Sequence, residues 1–240
     1  MSHNPSIPYR PQDNRNLPRE VFERRIQNNP YISHIYEYES WILPHPDPKI
    51  FQQTYLADRK NAKNHVELGC GSGQYLMMLS QQYPLDYFYG FEIRYKRIVQ
   101  AARKLQKQNI NHVLLIKDKA EYLSDYFSPR SIDSLHINFP DPWAKDSQKK
   151  HRLLNENNLS NIALLLKETG YLSFKTDHGE YFESVFNLIQ TMAYYQVEEY
   201  TQDLHKSQYC QQNIETEFEH LFKTKGNPPI FYMKIVRRAV

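Results

Sequence analysis

From Asn64 onward the chain alternates short apolar runs with amphipathic helical stretches, and few folds accommodate that alternation. His65-Val66-Glu67-Leu68 reads as a strand. The glycine turn Gly69-Cys70-Gly71-Ser72-Gly73 follows, then a helix with Tyr75, Leu76 and Leu79 on one face. Tyr87 to Ile93 reads as a second strand, and Ile98, Ala102 and Leu105 stripe the next helix. Val113 to Ile116 is apolar at every position, as a central parallel strand covered on both faces requires. Leu135, Ile137 and Phe139 alternate in a fourth strand. A helix marked by Leu159, Ile162 and Leu166 should end at Gly170, with a fifth strand over Tyr171 to Thr176. A helix burying Tyr181, Val185 and Leu188 and two strand-like stretches, Tyr194 to Tyr200 and Ile230 to Val236, complete the pattern. The expectation is an α/β fold: a mostly parallel, doubly wound sheet of seven strands.

The first sixty residues differ. Prolines at positions 5, 8, 11, 18, 30, 44, 46 and 48 rule out long helices there. We therefore expect a partly extended N-terminal arm over 1–60 and one domain over 61–240. The only cysteines, Cys70 and Cys210, form no CxxC pair, and the ten histidines show no ligand spacing, so neither a disulfide nor a metal site is expected. A polar start and the lack of any run of membrane-spanning length suggest a soluble cytoplasmic protein. A net charge of +3 permits a nucleic-acid partner without arguing for one. The cluster Lys145, Lys149, Lys150, His151 and Arg152 would, on charge alone, be a solvated helix start.

In doubly wound sheets, ligands bind beyond the carboxyl ends of the strands. All five central strands carry a carboxylate at or just after that end: Glu67, Glu92, Asp118, Asp141 and Asp177. One such acid is ordinarily a cap or a loop residue; five at one edge suggest a site. The GxGxG spacing of the turn differs from the GxGxxG that seats a pyrophosphate on a helix N-terminus. An acid two residues before the first glycine would repel phosphate, yet it suits the ammonium and sulfonium of S-adenosylmethionine. Glu92 is placed for ribose hydroxyls and Asp118 for the adenine edge. The sharpest motif is Asn138-Phe139-Pro140-Asp141-Pro142-Trp143. Its two prolines stiffen a turn that would hold one carboxylate and one indole over the methyl group. Asp141 is the expected catalytic residue, acting through orientation and electrostatics.

These residues resemble the bacterial tRNA (guanine-N7-)-methyltransferase family. The resemblance runs from Glu67-Leu68-Gly69 through Phe91-Glu92, Asp118, the PDPW motif with Lys145 and the basic run to Leu153. It continues through Thr176-Asp177 to Thr216-Glu217-Phe218-Glu219 ahead of Gly226. It covers roughly residues 64 to 238. It implies a Rossmann-like enzyme that uses S-adenosylmethionine to methylate guanine 46 of the tRNA variable loop, as a monomer or homodimer. By the same matching Glu67, Gly69, Glu92, Asp118 and Asp141 line the cofactor site. Lys145, Asp177, Thr216, Glu217, Phe218 and Glu219 line the substrate site. Residues 147 to 152, with Lys149, Lys150, His151 and Arg152, face RNA. Ala144 stands where the family usually has proline, and Asp146-Ser147-Gln148 replaces a commonly basic stretch.

Two other readings compete. The stretch 138–143 resembles an expanded NPPW motif of enzymes that methylate exocyclic amines, though the inserted Phe139 and Asp141 argue against it. A partner that binds cofactor or RNA without catalysis would keep the fold, but would have no need of so complete a set of acids.

Overall fold

Each residue of Val113–Ile116 is buried, and alternate side chains enter two different cores. Leu114 and Ile116 face one apolar cluster, Val113 and Leu115 the other. This is what a strand with helices on both sides requires. The computed structural model describes residues 29, 31–43, 47–56, 62–223, 226 and 228–238. Arg15, Arg19, Arg24 and Arg25, the alternative cationic surface for RNA that the N-terminal arm offers in sequence, lie outside the described residues.

The described strands are β1 (Ile42–Leu43), β2 (Asn64–Leu68), β3 (Tyr87–Phe91), β4 (Val113–Ile116), β5 (Ile132–Asn138), β6 (Leu166–Thr176), β7 (Tyr195–Thr201) and β8 (Phe231–Arg237). The principal helices are α1 (Tyr31–Glu37), α2 (Pro48–Phe51), α3 (Gln74–Gln82), α4 (Tyr95–Lys107), α5 (Leu123–Tyr126), α6 (Glu156–Leu165), α7 (Gly179–Thr191) and α8 (Glu217–Lys223). The sheet runs β1-β4-β3-β2-β5-β6-β8-β7, parallel up to β6, with β8 antiparallel between β6 and β7. It thus has eight strands rather than seven. The additional one is a two-residue edge strand, in parallel register with Leu115 and Ile116. The Leu115 N–H donates to the Trp41 carbonyl at 2.7 Å, and the Trp41 indole N–H donates to Ile110 O at 2.6 Å. Phe51 is wholly buried and meets Tyr89, Tyr126 and Phe127 edge-on. Part of the segment 31–56 therefore packs into the main core.

Another difference falls at Gly170. The α6 helix ends at Leu165, and β6 begins at once with Leu166, so the glycine sits inside a strand. A Cβ there would meet Ile132 O at 2.9 Å, where the β5–β6 register shifts. The glycine serves a close backbone approach rather than a helix stop.

The two faces of the sheet differ in chemistry. Leu135, Ile137, Leu172, Phe174, Met233 and Ile235 point toward α6 and α7. The alternating residues of the same strands include Ser134, His136, Ser173, Lys175 and Lys234. The α3 side of β5, β6 and β8 is therefore polar.

Candidate active site

The turn after β2 depends on glycine. Gly69, Gly71 and Gly73 all have positive φ, at 76°, 55° and 71°. A Cβ on Gly73 would also stand 2.7 Å from the Ala101 Cβ, so this glycine lets α3 and α4 meet. Beside Gly69 there is open space, which leaves room for a ligand to approach the backbone. The turn is oriented by the acid after β3. Glu92 Oε2 accepts the Gly71 N–H at 3.0 Å, and Oε1 accepts the Arg94 N–H at 2.7 Å. Beyond β4, Asp118 accepts the Tyr126 hydroxyl at 2.7 Å and the Lys119 N–H at 2.8 Å. Both acids are buried and held in fixed orientations.

Glu67 lies in β2 itself and is 2% exposed. Its Oε1 accepts from Asn138 Nδ2 at 2.9 Å across the β2–β5 pairing, while its Oε2 and the Asn138 Oδ1 have no hydrogen-bond partner. Desolvation pushes the Glu67 carboxyl up to about 7, against the pull of Asn138 and the Lys175 charge. Two buried acceptors without donors call for a cationic or N–H-bearing group, and the ammonium of S-adenosylmethionine is such a group. The donor set therefore fits that cofactor.

The turn after β5 is strained. Phe139 and Trp143 have φ of 51° and 43°, a conformation that costs a non-glycine residue about 1–2 kcal/mol. Contacts from outside the turn hold it. The Phe139 N–H donates to Lys175 O at 2.9 Å, and Arg152 Nε donates to Pro142 O at 2.8 Å. Asp141 is exposed, and the Trp143 ring stands 5.5 Å from the His151 ring. Gly69, Glu92, Asp118, Asn138, Asp141 and Trp143 converge on one cleft of about 330 Å³. Glu67 is tied to it through Asn138. Arg94, Lys119 and Glu121 also line the cleft. The strand-end pattern does not single them out, because each lies one to three residues past the carboxylate on which that pattern rests.

The remaining residues of the expected site separate into two groups. Lys145, Lys150, His151 and Asp177 are exposed. Lys149 is held by Asp146 at 2.9 Å and Glu180 at 3.0 Å on a 3-10 turn, Asp146–His151, rather than on an α-helix. Arg152, expected on the RNA face, is turned inward and only 6% exposed. Its guanidinium pairs with Glu180, donates to Ser184 Oγ at 3.1 Å and lies over the Tyr181 ring. It braces the Pro142 turn from behind. That carboxylate is held down to about 2, chiefly by Arg152 and then by Lys149.

Thr216 and Glu219, expected to meet substrate, are also buried. Thr216 Oγ1 accepts the Glu219 N–H at 3.1 Å, and the Thr216 N–H donates to Glu219 Oε2 at 2.8 Å, a reciprocal cap for α8. Glu219 is paired with Lys175 at 3.3 Å inside the protein, so both residues hold the segment in place rather than present it. Glu217 and Phe218 instead contact the two turns that flank the cleft. Glu217 accepts from Ser72 Oγ at 2.7 Å and from Arg97 at 3.3 Å, and Phe218 stacks on Phe139 at 5.7 Å. The helix α8 thus bridges the glycine turn and the strained turn.

A family model described as "Putative methyltransferase" matches residues 61–232. The chain is 35% identical over 205 residues to a tRNA (guanine-N(7)-)-methyltransferase of Mycoplasma pneumoniae, covering 84% of this chain and 89% of that one. It is also 35% identical over 203 residues to a bifunctional glycosyltransferase/methyltransferase of Fusobacterium nucleatum, spanning 81% of this chain but 31% of that longer protein. Among solved structures, an rRNA methylase from Streptococcus thermophilus superposes with a TM-score of 0.52 at 16% identity, over 81% of this chain and 96% of that one.

Proposed function

The chain belongs to the tRNA (guanine-N7-)-methyltransferase family, and from that premise we propose that it transfers a methyl group to N7 of guanine 46 in the tRNA variable loop. S-adenosylmethionine is the methyl donor, supplying an electrophilic methyl on a sulfonium. The observation that carries the reading is the single cleft on which Gly69, Glu92, Asp118 and Asp141 converge beside the strained Phe139–Trp143 turn.

Glu67 and Asn138 would take the ammonium of the donor on their unpaired oxygens, Glu92 the ribose hydroxyls, and Asp118 the adenine edge. Guanine N7 carries an in-plane lone pair and no proton, so the chain has no proton to remove before transfer. Its task is to bring the base in line with the methyl, and such orientation is worth ~7–11 kcal/mol of barrier. Asp141, which has no ion pair among the described residues, would accept from the base's N–H groups and stabilise the positive charge that builds on the ring. Trp143 stands beside it as a stacking platform, worth ~1–3 kcal/mol for an unstacked base. Asp177 and Lys145, exposed near the same edge, complete the proposed base site. Lys150 and His151 are the exposed members of the basic run and are assigned to the RNA backbone, with Lys149 in part.

Methylation of an exocyclic amine is disfavoured by the make-up of the turn. That chemistry wants an amide and a backbone carbonyl to hold the amine, and the inserted Phe139 and Asp141 break up that pairing. The test is incubation with unmodified tRNA and radiolabelled donor, followed by nucleoside digestion. Label in 7-methylguanosine supports the proposal, and label in an amine-methylated nucleoside or none at all refutes it.

A further inference from the structure

On the α3 side of the sheet lies a second cavity of about 390 Å³, apart from the methyl-transfer cleft. Its floor is the polar half of the sheet, with His136, Ser173 and Lys175. Its walls are Tyr75 on α3 and Tyr209 on the 3-10 segment Gln208–Gln212. Tyr209 packs against Tyr232 at 5.9 Å, at the mouth of the space.

A line of hydrogen bonds runs beneath that floor. Tyr75 Oη meets His136 Nδ1 at 2.9 Å, and His136 Nε2 meets Ser134 Oγ at 2.7 Å. Ser134 Oγ then meets His65 Nδ1 at 2.6 Å, and His65 Nε2 meets Asp86 Oδ2 at 3.1 Å. The terminal partner sets the direction. Asp86 accepts only, so His65 Nε2 must carry the proton and its Nδ1 must accept. Ser134 then donates to His65, His136 donates through Nε2, and Tyr75 donates to His136 Nδ1. Burial pushes both imidazoles down, toward the neutral form that carries one proton per ring. Tyr75 therefore spends its own hydrogen inward, and its oxygen offers the cavity only lone pairs. Ser173, 4% exposed, is held by its backbone in β6, and its hydroxyl, without a hydrogen bond among the described residues, can donate or accept. The cationic Lys234 is paired with Glu198 and Glu199, and Lys175 with Glu219, so the space carries little net charge. The methyl-transfer chemistry uses none of these groups.

We propose that this cavity binds a second, uncharged heteroaromatic base: Tyr209 and Tyr232 supply aromatic faces, the Tyr75 oxygen accepts from a ring N–H or amino group, and Ser173 satisfies the neighbouring edge. An aromatic wall facing directional polar groups is the general pattern by which unstacked bases are held. The base comes either from a free nucleoside or from a nucleotide of the RNA other than the one methylated.

The probes are adenosine and guanosine, observed by saturation-transfer NMR on the full chain with S-adenosylhomocysteine saturating the methyl-transfer cleft. One of them should show saturable binding that weakens about tenfold or more in Tyr209→Ala and several-fold in Ser173→Ala. Neither residue belongs to the catalytic set. A parallel arm measures the KM for tRNA in the same variants, with cofactor affinity as the control for folding. A raised KM assigns the base to RNA; lost nucleoside binding at unchanged KM assigns it to a free ligand. If neither nucleoside binds and neither variant changes the KM, the cavity is not a base site and the proposal is overturned.

Discussion

Glu67→Gln should make the cofactor-free protein more stable and the cofactor complex weaker, with the first effect growing as pH rises. The parent carboxyl titrates near 7 when folded, against 4.5 as its ordinary value. Below pH 4.5 both states hold the proton and the shift costs nothing. Between 4.5 and 7 the unfolded chain releases a proton that the folded chain keeps, so parental stability falls with rising pH. Above 7 the full difference is present, about 3 kcal/mol for a shift of roughly 2.5 units at 1.36 kcal/mol each. Glutamine keeps the acceptor facing Asn138 and carries no charge to desolvate, so it escapes this penalty. Thermal unfolding of cofactor-free protein should give matching curves near pH 4.5, and at pH 8 a variant Tm higher by about 6–12 °C. Calorimetry should show the opposite trend for the cofactor. Parental affinity should rise about tenfold per pH unit up to 7 and then level, while the variant binds roughly 10- to 150-fold more weakly at pH 8. A stability difference independent of pH would refute the assignment of an uncompensated, buried carboxylate at this position.

Asp141→Ala should lower kcat about 10²- to 10³-fold while leaving the dissociation constant for tRNA nearly unchanged; a variant with near-parental turnover would remove this residue from the centre of the mechanism. Lys150→Ser should flatten the dependence of log affinity for tRNA on log salt by about 0.7–0.9, and an unchanged slope would show that this lysine is merely solvated. Arg152→Met should act differently, costing about 1–3 kcal/mol of stability by removing the buried guanidinium that donates to Pro142 O and Ser184 Oγ, while Glu180 keeps its pairing with Lys149. If it instead changed the salt slope at parental Tm, the inward placement of this side chain would be wrong.

Some of this protein was legible from local pattern. The four apolar residues of β4 and the 3.6-residue stripes of α3 and α4 leave only a doubly wound sheet as a way to bury both faces. Once that sheet is granted, the carboxylates after the apolar runs must gather at one edge, because parallel strands all end on the same side. That is why strand direction alone brings Glu92, Asp118 and Asp141 to the same edge, where they line one cleft. Other features carry no local signal. The edge strand β1 is two residues long between prolines, and it exists because the β4 backbone offers unpaired groups to it. Arg152 sits in a run of cations that look alike in sequence; Glu180 and Tyr181, nearly thirty residues later, turn it inward while Lys150 stays out. Thr216 and Glu219 look like an exposed motif until Lys175 supplies the buried partner for the carboxylate. Local pattern reports periodicity and chain direction, which depend on near neighbours. Which charges are buried depends on whether a partner from a distant segment offsets the cost of desolvation, and only the tertiary structure brings those partners together.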